Sequence, residues 1–403
     1  MERLSKELLY PKLMGCKCYK KNDDIYFFAK NFNALCKIDI KVNSIEIVES
    51  LCNERFDKEY LVGNLLNYKD ELICVPSMAS QIYIIDMKER RETGKLISDQ
   101  KIMKGRVYWN VYLEDGNCYL FPFTGNECIQ VDIEQRKIIR SIDVRKIYKD
   151  ILGENYKYFS CSDHYIYKNK VYMAMFETAI IVEVDIPMLR IQFYKMEGKS
   201  SHYIHITGCE NLLYILGVDG KIYVWNSISH EVENTLQLKF GEEEIGRFTY
   251  SVKSTKYIYI FKYIASDEFI RIDCETNQAE VLSLSETFKI DENKRVLLSF
   301  MTAEKNKFYF LSETYDIFVV DFSSKDVSIF PLSLNEDEIY RYIKKHEREL
   351  NEIQTEAISE GKYIWTLENY IGKYIDMERD RQTNKCEDVG NKILTAAKID
   401  LRL

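Results

Sequence analysis

The sequence predicts an all-β chain built from repeated four-stranded antiparallel sheets. Its 403 residues include 30 Tyr and 20 Phe, an aromatic content typical of pleated, half-buried strands. Glycine (16) and proline (5) are scarce, which argues against a collagen-like or low-complexity chain. A short motif also recurs along nearly the whole chain, and a fixed recurrence is the signature of a repeat architecture.

The recurring motif is an aspartate between two residues that are mostly apolar, at the end of a strand-like run. It occurs eight times at intervals of 41 to 55 residues, and an asparagine replaces the aspartate in the fifth copy. The polar residues of the eight copies are Asp39, Asp86, Asp132, Asp185, Asn226, Asp273, Asp321 and Asp376. A carboxylate here can accept backbone N–H bonds as the chain leaves the strand. We prefer this turn role to calcium binding, which needs a denser set of oxygen ligands.

An aromatic or apolar residue stands 12 to 14 positions before each of these polar residues. These residues are Tyr26, Ile73, Tyr119, Tyr172, Tyr214, Tyr259, Tyr309 and Ile364. Turn sequences such as Asp219-Gly220 lie between the two columns, and Asp-Gly between two strand-like runs is a strong hairpin signal. Each repeat therefore contains a hairpin.

Strand-like runs on both sides of each hairpin bring the repeat to four strands. Examples are Val107–Tyr112 before one hairpin and Asp326–Phe330 after another. Four short antiparallel strands make one blade of a β-propeller, in which a ring of blades covers both faces of each sheet. Eight hairpins predict eight blades in a single domain spanning 1–403. Seven blades is the alternative if one terminal hairpin is degenerate.

The repeat resembles that of the β-propeller superfamily, and its length is similar to the blades of WD-repeat, Kelch and quinoprotein-type propellers. The resemblance covers nearly the whole chain and implies the fold. The WD dipeptide, the paired glycines of Kelch repeats and the tryptophan-docking motif of quinoproteins are missing. No ligand residues of those families can be transferred to this chain.

Two insertions and the C-terminal tail interrupt the repeat. Arg145–Leu152 is predicted to be a short surface helix before the fourth blade. Residues 336–351 are predicted to form an amphipathic helix, with Ile339, Tyr342, Ile343 and Leu350 on one face; it packs on the propeller or docks a partner. Residues 378–403 contain a polar stretch and a segment that closes the last blade, unless Leu8–Tyr10 does so.

Charge and cysteine content limit the partners and the compartment. The net charge of −8 disfavours nucleic acid as the main partner, and Glu242–Glu244 is predicted to be a solvated turn. A charged N-terminus and no apolar run of 18 residues predict neither a signal peptide nor a membrane span. Eleven scattered cysteines without a CxxC motif favour the reducing cytoplasm. Cys16 and Cys18 lack a second ligand pair for zinc, and we expect no metal or cofactor.

The candidate site comes from a third column, nine residues before the aromatic one. Its members are Lys17, Asn64, Asn110, Asp163, His205, Tyr250, Phe300 and Thr355. This column is unusually polar for an inner strand, and polar side chains near a propeller axis can form a funnel for a peptide or a small polar ligand. Alternatively, they bind ordered water in a closed channel.

The register of this column is defined to within about one residue, so Trp109, next to Asn110, is also a candidate. His202 and Arg247 lie three positions upstream of the column residues His205 and Tyr250. The candidate binding residues are therefore Trp109, Asn110, Asp163, His202, His205, Arg247 and Tyr250. His202 and His205 are three residues apart and fall on opposite faces of a strand, which argues against joint metal binding.

The sequence contains no P-loop, GxGxxG, HExxH or GxSxG motif. We therefore expect a non-catalytic cytoplasmic platform that binds a protein, a peptide or a small ligand. The alternative is a hydrolase or lyase with a funnel site at the axis, acting on a sugar or peptide, with Asp163 or His205 as acid or base. An open pocket with convergent titratable groups indicates the enzyme, and a plugged channel indicates the platform.

Overall fold

The computed structural model describes residues 18–334, except 31, 57, 90, 97–106, 154–158, 161–162, 176–177, 197–201, 240–247, 263–265, 291–297 and 313–315, together with most of 341–349. The chain separates into two compact units, Pro11–Ser333 and a second one made of Met1–Tyr10 and Leu334–Leu403. The first unit contains seven sheets, each with four consecutive antiparallel strands, and one of these sheets has a fifth strand. The expectation of one domain over 1–403 stays a prediction.

The seven sheets are the blades of a propeller, each formed by four consecutive strands. Blade 1 contains β1 (Tyr19–Lys21), β2 (Asp24–Phe28), β3 (Leu35–Asp39) and β4 (Ser44–Glu49), and blade 2 contains β5 (Val62–Tyr68), β6 (Glu71–Pro76), β7 (Ile82–Asp86) and β8 (Arg91–Leu96). Blade 3 contains β9 (Val107–Glu114), β10 (Asn117–Thr124), β11 (Glu127–Asp132) and β12 (Lys137–Asp143), and blade 4 contains β13 (His164–Tyr167), β14 (Lys170–Ala174), β15 (Ile180–Asp185) and β16 (Arg190–Lys195). Blade 5 contains β17 (Tyr203–Cys209), β18 (Leu212–Gly217), β19 (Lys221–Asn226) and β20 (Glu231–Gln237), and blade 6 contains β21 (Phe248–Lys253), β22 (Tyr257–Lys262), β23 (Glu268–Asp273) and β24 (Gln278–Ser283). Blade 7 contains β25 (Leu298–Glu304), β26 (Lys307–Ser312), β27 (Asp316–Asp321) and β28 (Asp326–Pro331). The next strand, β29 (Ser333–Leu334), pairs with β4 and is the fifth strand of the blade 1 sheet.

The burial of each strand follows from its place in the ring. Second and third strands such as β18 and β19 are almost wholly buried, because neighbouring blades cover both of their faces. Fourth strands such as β20 are mostly exposed and form the outer wall. The first strands of neighbouring blades contact one another around the axis. The core consequently lies between blades, as where Tyr214 and Leu216 of blade 5 pack against Ile258 and Ile260 of blade 6.

The ring closes after seven blades, because β1 of blade 1 contacts β25 of blade 7. Lys20 Nζ lies 2.6 Å from Glu304 Oε2 and 5.1 Å from the centre of the Tyr309 ring. At the outer edge, the Ser333 N–H donates to the Asn43 carbonyl at 2.8 Å. The eight-blade prediction is therefore wrong and the seven-blade alternative is confirmed, since no blade fits between two strands already in contact. The eighth copy, with Ile364 and Asp376, lies outside the described residues.

The aspartate column is confirmed as a turn device in all seven blades. In blade 2, Asp86 Oδ1 accepts the N–H groups of Lys88 and Glu89 at 2.8 and 2.9 Å. Asn226 uses its Oδ1 in the same way, accepting from Ile228 at 2.7 Å and Ser229 at 3.3 Å. The other five residues, each accepting one or two such bonds, are Asp39, Asp132, Asp185, Asp273 and Asp321.

The helices lie outside the blades. The predicted helix before blade 4 is α1 (Arg145–Leu152). A second one, α2 (Leu284–Phe288), follows β24 and was not predicted; Ser283 caps it by accepting the Glu286 N–H at 3.0 Å. Of the predicted helix 336–351, the described residues from 341 to 349 are mostly helical, while Ile339, Ile343 and Leu350 are outside the described part, as is 378–403. In the described part of the chain, no helix is long and apolar enough to cross a membrane.

Candidate functional site

The first strands of blades 2, 3, 5 and 6 share a β-bulge near their start. In each strand one residue is skipped in the pairing with the second strand, namely Gly63, Trp109, Ile204 and Thr249. A bulge adds one unpaired residue and re-aims the side chains beside it. The residue after each bulge belongs to the predicted polar column: Asn64, Asn110, His205 and Tyr250.

Asn110 joins blade 3 to blade 4 through a directional chain of hydrogen bonds. The Ser160 hydroxyl donates its single proton to the Pro122 carbonyl at 2.9 Å. Ser160 Oγ must therefore accept from Asn110 Nδ2, which lies 2.9 Å away. This orients Asn110 Oδ1 towards His164 Nδ1 at 3.2 Å, so that the imidazole nitrogen is the donor. Asn110 and Ser160 are fully buried.

Asp163 continues this polar chain to blades 5 and 6. Its Oδ1 accepts the His164 N–H at 3.0 Å, and its Oδ2 accepts the Ser251 hydroxyl at 3.1 Å and lies 3.9 Å from His205 Nε2. Asp163 directly precedes blade 4, whereas Ser251 belongs to blade 6. Their contact therefore spans the first strand of blade 5 on its axial side. Asp163 is 5% exposed and His205 is fully buried. We call Asn110, Ser160, Asp163, His164, His205 and Ser251 the axial network.

A groove opens beside this network on the face that carries the links between blades, which we call the loop face. Its volume is about 690 Å³. The indole of Trp109 stacks on the Phe123 ring, with centroids 3.9 Å apart and planes at 17°. Met78 and Tyr60 complete an apolar surface and are 49% and 37% exposed. The lining residues are Arg55, Lys58, Glu59, Tyr60, Ser77, Met78, Trp109 and Phe123.

Glycine at position 63 lets the first strand of blade 3 pack closely against that of blade 2, beside the Trp109 indole. A Cβ there would stand 3.3 Å from the Tyr108 carbonyl oxygen and 3.5 Å from Trp109 Cδ1. The first of these distances is tighter than ordinary packing allows, and backbone cannot yield as a flexible side chain would. Asn64 then holds the strand that carries Trp109, because its Nδ2 donates to the Trp109 carbonyl at 2.8 Å.

The loop that forms one wall of the groove is held by a buried carboxylate. Glu54 accepts hydrogen bonds from the Ser80 N–H, the Tyr83 hydroxyl at 3.1 Å and Lys58 Nζ at 2.9 Å. Asn33 holds the same loop from blade 1, because its Nδ2 donates to the Glu54 carbonyl at 2.8 Å. Burial alone would raise the pKa of Glu54, but the hydrogen bonds from Ser80 and Lys58 outweigh it and hold the pKa below its usual range.

The predicted site residues divide between the network, the groove and the core. Asn110, Asp163 and His205 meet in the axial network, and Trp109 faces the groove. His202 is half-buried at the start of blade 5, where its carbonyl accepts the Val218 N–H at 3.2 Å. Tyr250 packs against Phe300, with ring centres 6.0 Å apart. Arg247 lies outside the described residues.

Sequence reasoning missed several residues of this region, namely Ser160, His164, Ser251, Met78 and Phe123. His164 directly follows the predicted Asp163 in the sequence. Within the described residues, no three His, Cys, Asp or Glu side chains are grouped as a metal site requires. The eight described cysteines are thiols rather than disulfides: Cys18, Cys36, Cys52, Cys74, Cys118, Cys128, Cys209 and Cys274.

No protein-family model matches the chain, and no curated protein matches it. Among solved structures, it is similar to the computationally designed Ika8 protein, with a TM-score of 0.52 and 12% identity over 79% of this chain and 86% of that one. It is also similar to BamB from Moraxella catarrhalis (TM-score 0.48, 11% identity, 79% and 83% covered). The Neurospora crassa Pan2 WD40 domain gives a TM-score of 0.45, with 8% identity and 67% and 78% covered. At such low identity the likeness to Ika8 concerns the fold alone.

Proposed function

We propose that this propeller is a non-catalytic platform that holds a peptide segment of a protein partner in the Trp109 groove. The observation that carries the proposal is the stacked pair Trp109–Phe123 on a preformed apolar surface, with Met78 half exposed beside it. Tryptophan in a desolvated pocket is among the residues that most often dominate binding energy. A site that is already ordered also loses less entropy when its ligand binds.

The charges of the rim favour an acidic peptide with a large apolar side chain. Arg55 and Lys58 line the groove together with Glu59, and Lys30 lies 4.6 Å from the centre of the Tyr60 ring. Arg55, Lys58 and Lys30 together make this rim positive, although Lys58 also pairs with the buried Glu54. Complementary charge raises the association rate and fixes the orientation of the ligand. The apolar side chain would lie on Trp109 and the acidic neighbours on the rim.

Burial of the axial network favours binding over catalysis. A funnel enzyme would use Asp163 and His205 as its acid and base, and these side chains do approach within 3.9 Å. They are, however, 5% and 0% exposed, whereas a general acid or base must come within hydrogen-bonding reach of its substrate. The groove on the loop face is lined by other residues. An open pocket and a pair of titratable groups, which a funnel enzyme needs at one site, are therefore separated.

We further propose a reducing compartment such as the cytoplasm, because eleven cysteines are scattered without a pairing pattern. The net charge of −8 supports a protein partner rather than nucleic acid. Neither proposal affects the groove, which is tested separately.

The groove is tested with an immobilised library of short peptides that carry a central aromatic or leucine residue, flanked by Asp and Glu in one set and by Lys in the other. We expect the acidic set to be enriched. For the best peptide, Trp109→Ala should weaken binding by about 5- to 150-fold, corresponding to about 1–3 kcal/mol. Met188→Ala is the matched control, since Met188 is 69% exposed in the aspartate turn of blade 4, on the face opposite the groove.

Equal retention of the acidic and basic sets would contradict the peptide chemistry. Unchanged affinity in Trp109→Ala would contradict the location of the site. Far-UV circular dichroism and the thermal transition of both variants show whether the fold is kept.

A further inference from the structure

Two cysteines from neighbouring blades meet on the face opposite the groove, which carries the aspartate turns and which we call the turn face. Cys209 is the last residue of β17 in blade 5, and Cys274 directly follows Asp273 at the end of β23 in blade 6. Both are half-buried and pack against the same apolar cluster between the two blades. Their separation in sequence, 65 residues from 209 to 274, therefore disappears in the fold.

The two cysteines lie at the same corner of this cluster. The Cys274 thiol is close enough to Cys209 for the two sulfurs to interact, and Tyr214 is close to both cysteines. The corner around them is held by a bond between the same two blades, in which the Tyr214 hydroxyl donates to Asn277 Oδ1 at 2.6 Å. The Cys274 N–H donates to the Lys256 carbonyl at 3.0 Å, which fixes the backbone of its turn. The contact thus belongs to the ordered structure of the two blades.

We propose that Cys209 and Cys274 form a reversible disulfide that joins blades 5 and 6 on the turn face. Burial, followed by the neighbouring Cys209 sulfur, raises the pKa of Cys274 to about 12. Cys274 therefore keeps its proton at neutral pH, and an oxidant reacts with the sulfur of the pair that is deprotonated first.

With a peroxide as oxidant, the chemistry has two steps. One sulfur of the pair, as its thiolate, attacks one peroxide oxygen, the O–O bond breaks and a sulfenic acid forms while one water is released. The second sulfur then attacks the first, the S–O bond breaks, and a second water leaves with the proton of the second thiol. Two thiols are oxidised by two electrons, and one hydrogen peroxide is reduced to two water molecules. A dithiol reductant reverses the reaction by thiol–disulfide exchange.

The remaining cysteines provide internal references. Cys36, Cys74, Cys118 and Cys128 are buried in the cores between blades, and burial raises the pKa of the Cys118 thiol to about 12. Cys52 is exposed in the loop between blades 1 and 2. It reports whether the oxidant reached an accessible thiol.

The proposal is tested by treating the full chain with hydrogen peroxide, alkylating the remaining thiols and digesting the protein without reduction. We expect a Cys209–Cys274 linked peptide that is two hydrogens lighter than the separate peptides and disappears with dithiothreitol. The linked protein should melt roughly 5 °C or more above the reduced one, because the cross-link restricts the unfolded chain. Cys52→Ser should form the same linked peptide, whereas Cys209→Ser and Cys274→Ser should not.

The linked peptide is measured on the wild-type protein, so the test does not depend on a variant that folds poorly. The proposal is overturned if Cys52 is oxidised while Cys209 and Cys274 remain thiols, or if Cys209 proceeds to sulfinic acid without a link. A link between other cysteines in place of this pair would overturn it as well. None of these outcomes bears on the peptide groove.

Discussion

Replacing Asn110 by alanine should destabilise the propeller without altering an exposed surface. The side chain is fully buried and makes bonds of 2.9 Å to Ser160 and 3.2 Å to His164. Each buried partner left unsatisfied costs about 1–3 kcal/mol. With two bonds lost, we expect Asn110→Ala to lower the free energy of unfolding by about 2–5 kcal/mol. Such a loss is large for a single substitution.

Urea denaturation followed by far-UV circular dichroism measures this loss, with the slope of the transition compared between variants. Asn53→Ala is the control, because Asn53 is exposed in the loop between blades 1 and 2. A double-mutant cycle with Ser160→Ala isolates the bond between the two side chains. We expect the double variant to be more stable than the sum of the two single effects by about 0.5–3 kcal/mol.

A change within about 0.5 kcal/mol for Asn110→Ala, which is typical of surface substitutions, would refute this reasoning. Additive effects of Asn110→Ala and Ser160→Ala would show that these two side chains do not stabilise each other as the hydrogen-bond chain requires. Asn110 would then be better explained as a group that faces a ligand or water.

Two further predictions concern the turns and the groove loop. Asp86→Ala should lower the free energy of unfolding, measured by urea denaturation, by about 0.5–1.5 kcal/mol, the usual net value of a hydrogen bond. Asp86→Asn should lower it little, because Asn226 already fills the same role in blade 5. Equal losses for the two variants would contradict the turn role. The pKa of Glu54 in the folded protein is below its ordinary value of 4.5, so its stabilising effect is complete above that value and is lost as the pH falls through the folded pKa. Glu54→Gln should therefore lessen the loss of stability of the protein below about pH 4.5 and weaken peptide binding at pH 7. An acid transition unchanged by this substitution would contradict the role of the Glu54 carboxylate in holding the groove loop.

The hairpins could be predicted from the sequence because their signals are local. Tyr26 lies on β2 and Asp39 ends β3, as the two columns require, and the same holds in the other six blades. The number of blades is not a local property. It depends on whether β1 reaches β25, a contact between residues such as Lys20 and Glu304 that are 284 positions apart.

The candidate site could be predicted only where the periodicity of the strands revealed polar residues at inner-strand positions. Asn110 and His205 were found because polar residues are unusual in an inner strand. The bulges at Trp109 and Ile204 were not predictable, because they depend on the partner strand. Phe123 has no distinguishing signal in the sequence, and its stacking on Trp109 marks it as part of the groove.

The strand β29 has a mechanical consequence. It follows blade 7 in the chain but is hydrogen-bonded to β4 in the sheet of blade 1, so a strand from one end of the propeller clasps the blade at the other end. This clasp contains only two residues, Ser333 and Leu334, and the Lys20–Glu304 ion pair is another contact of the joint between blades 7 and 1. Together they supply far fewer bonds than the ladder of backbone bonds within a blade. Under tension between Cys18 and Ser333, this joint should part first and open the ring into an arc of intact blades.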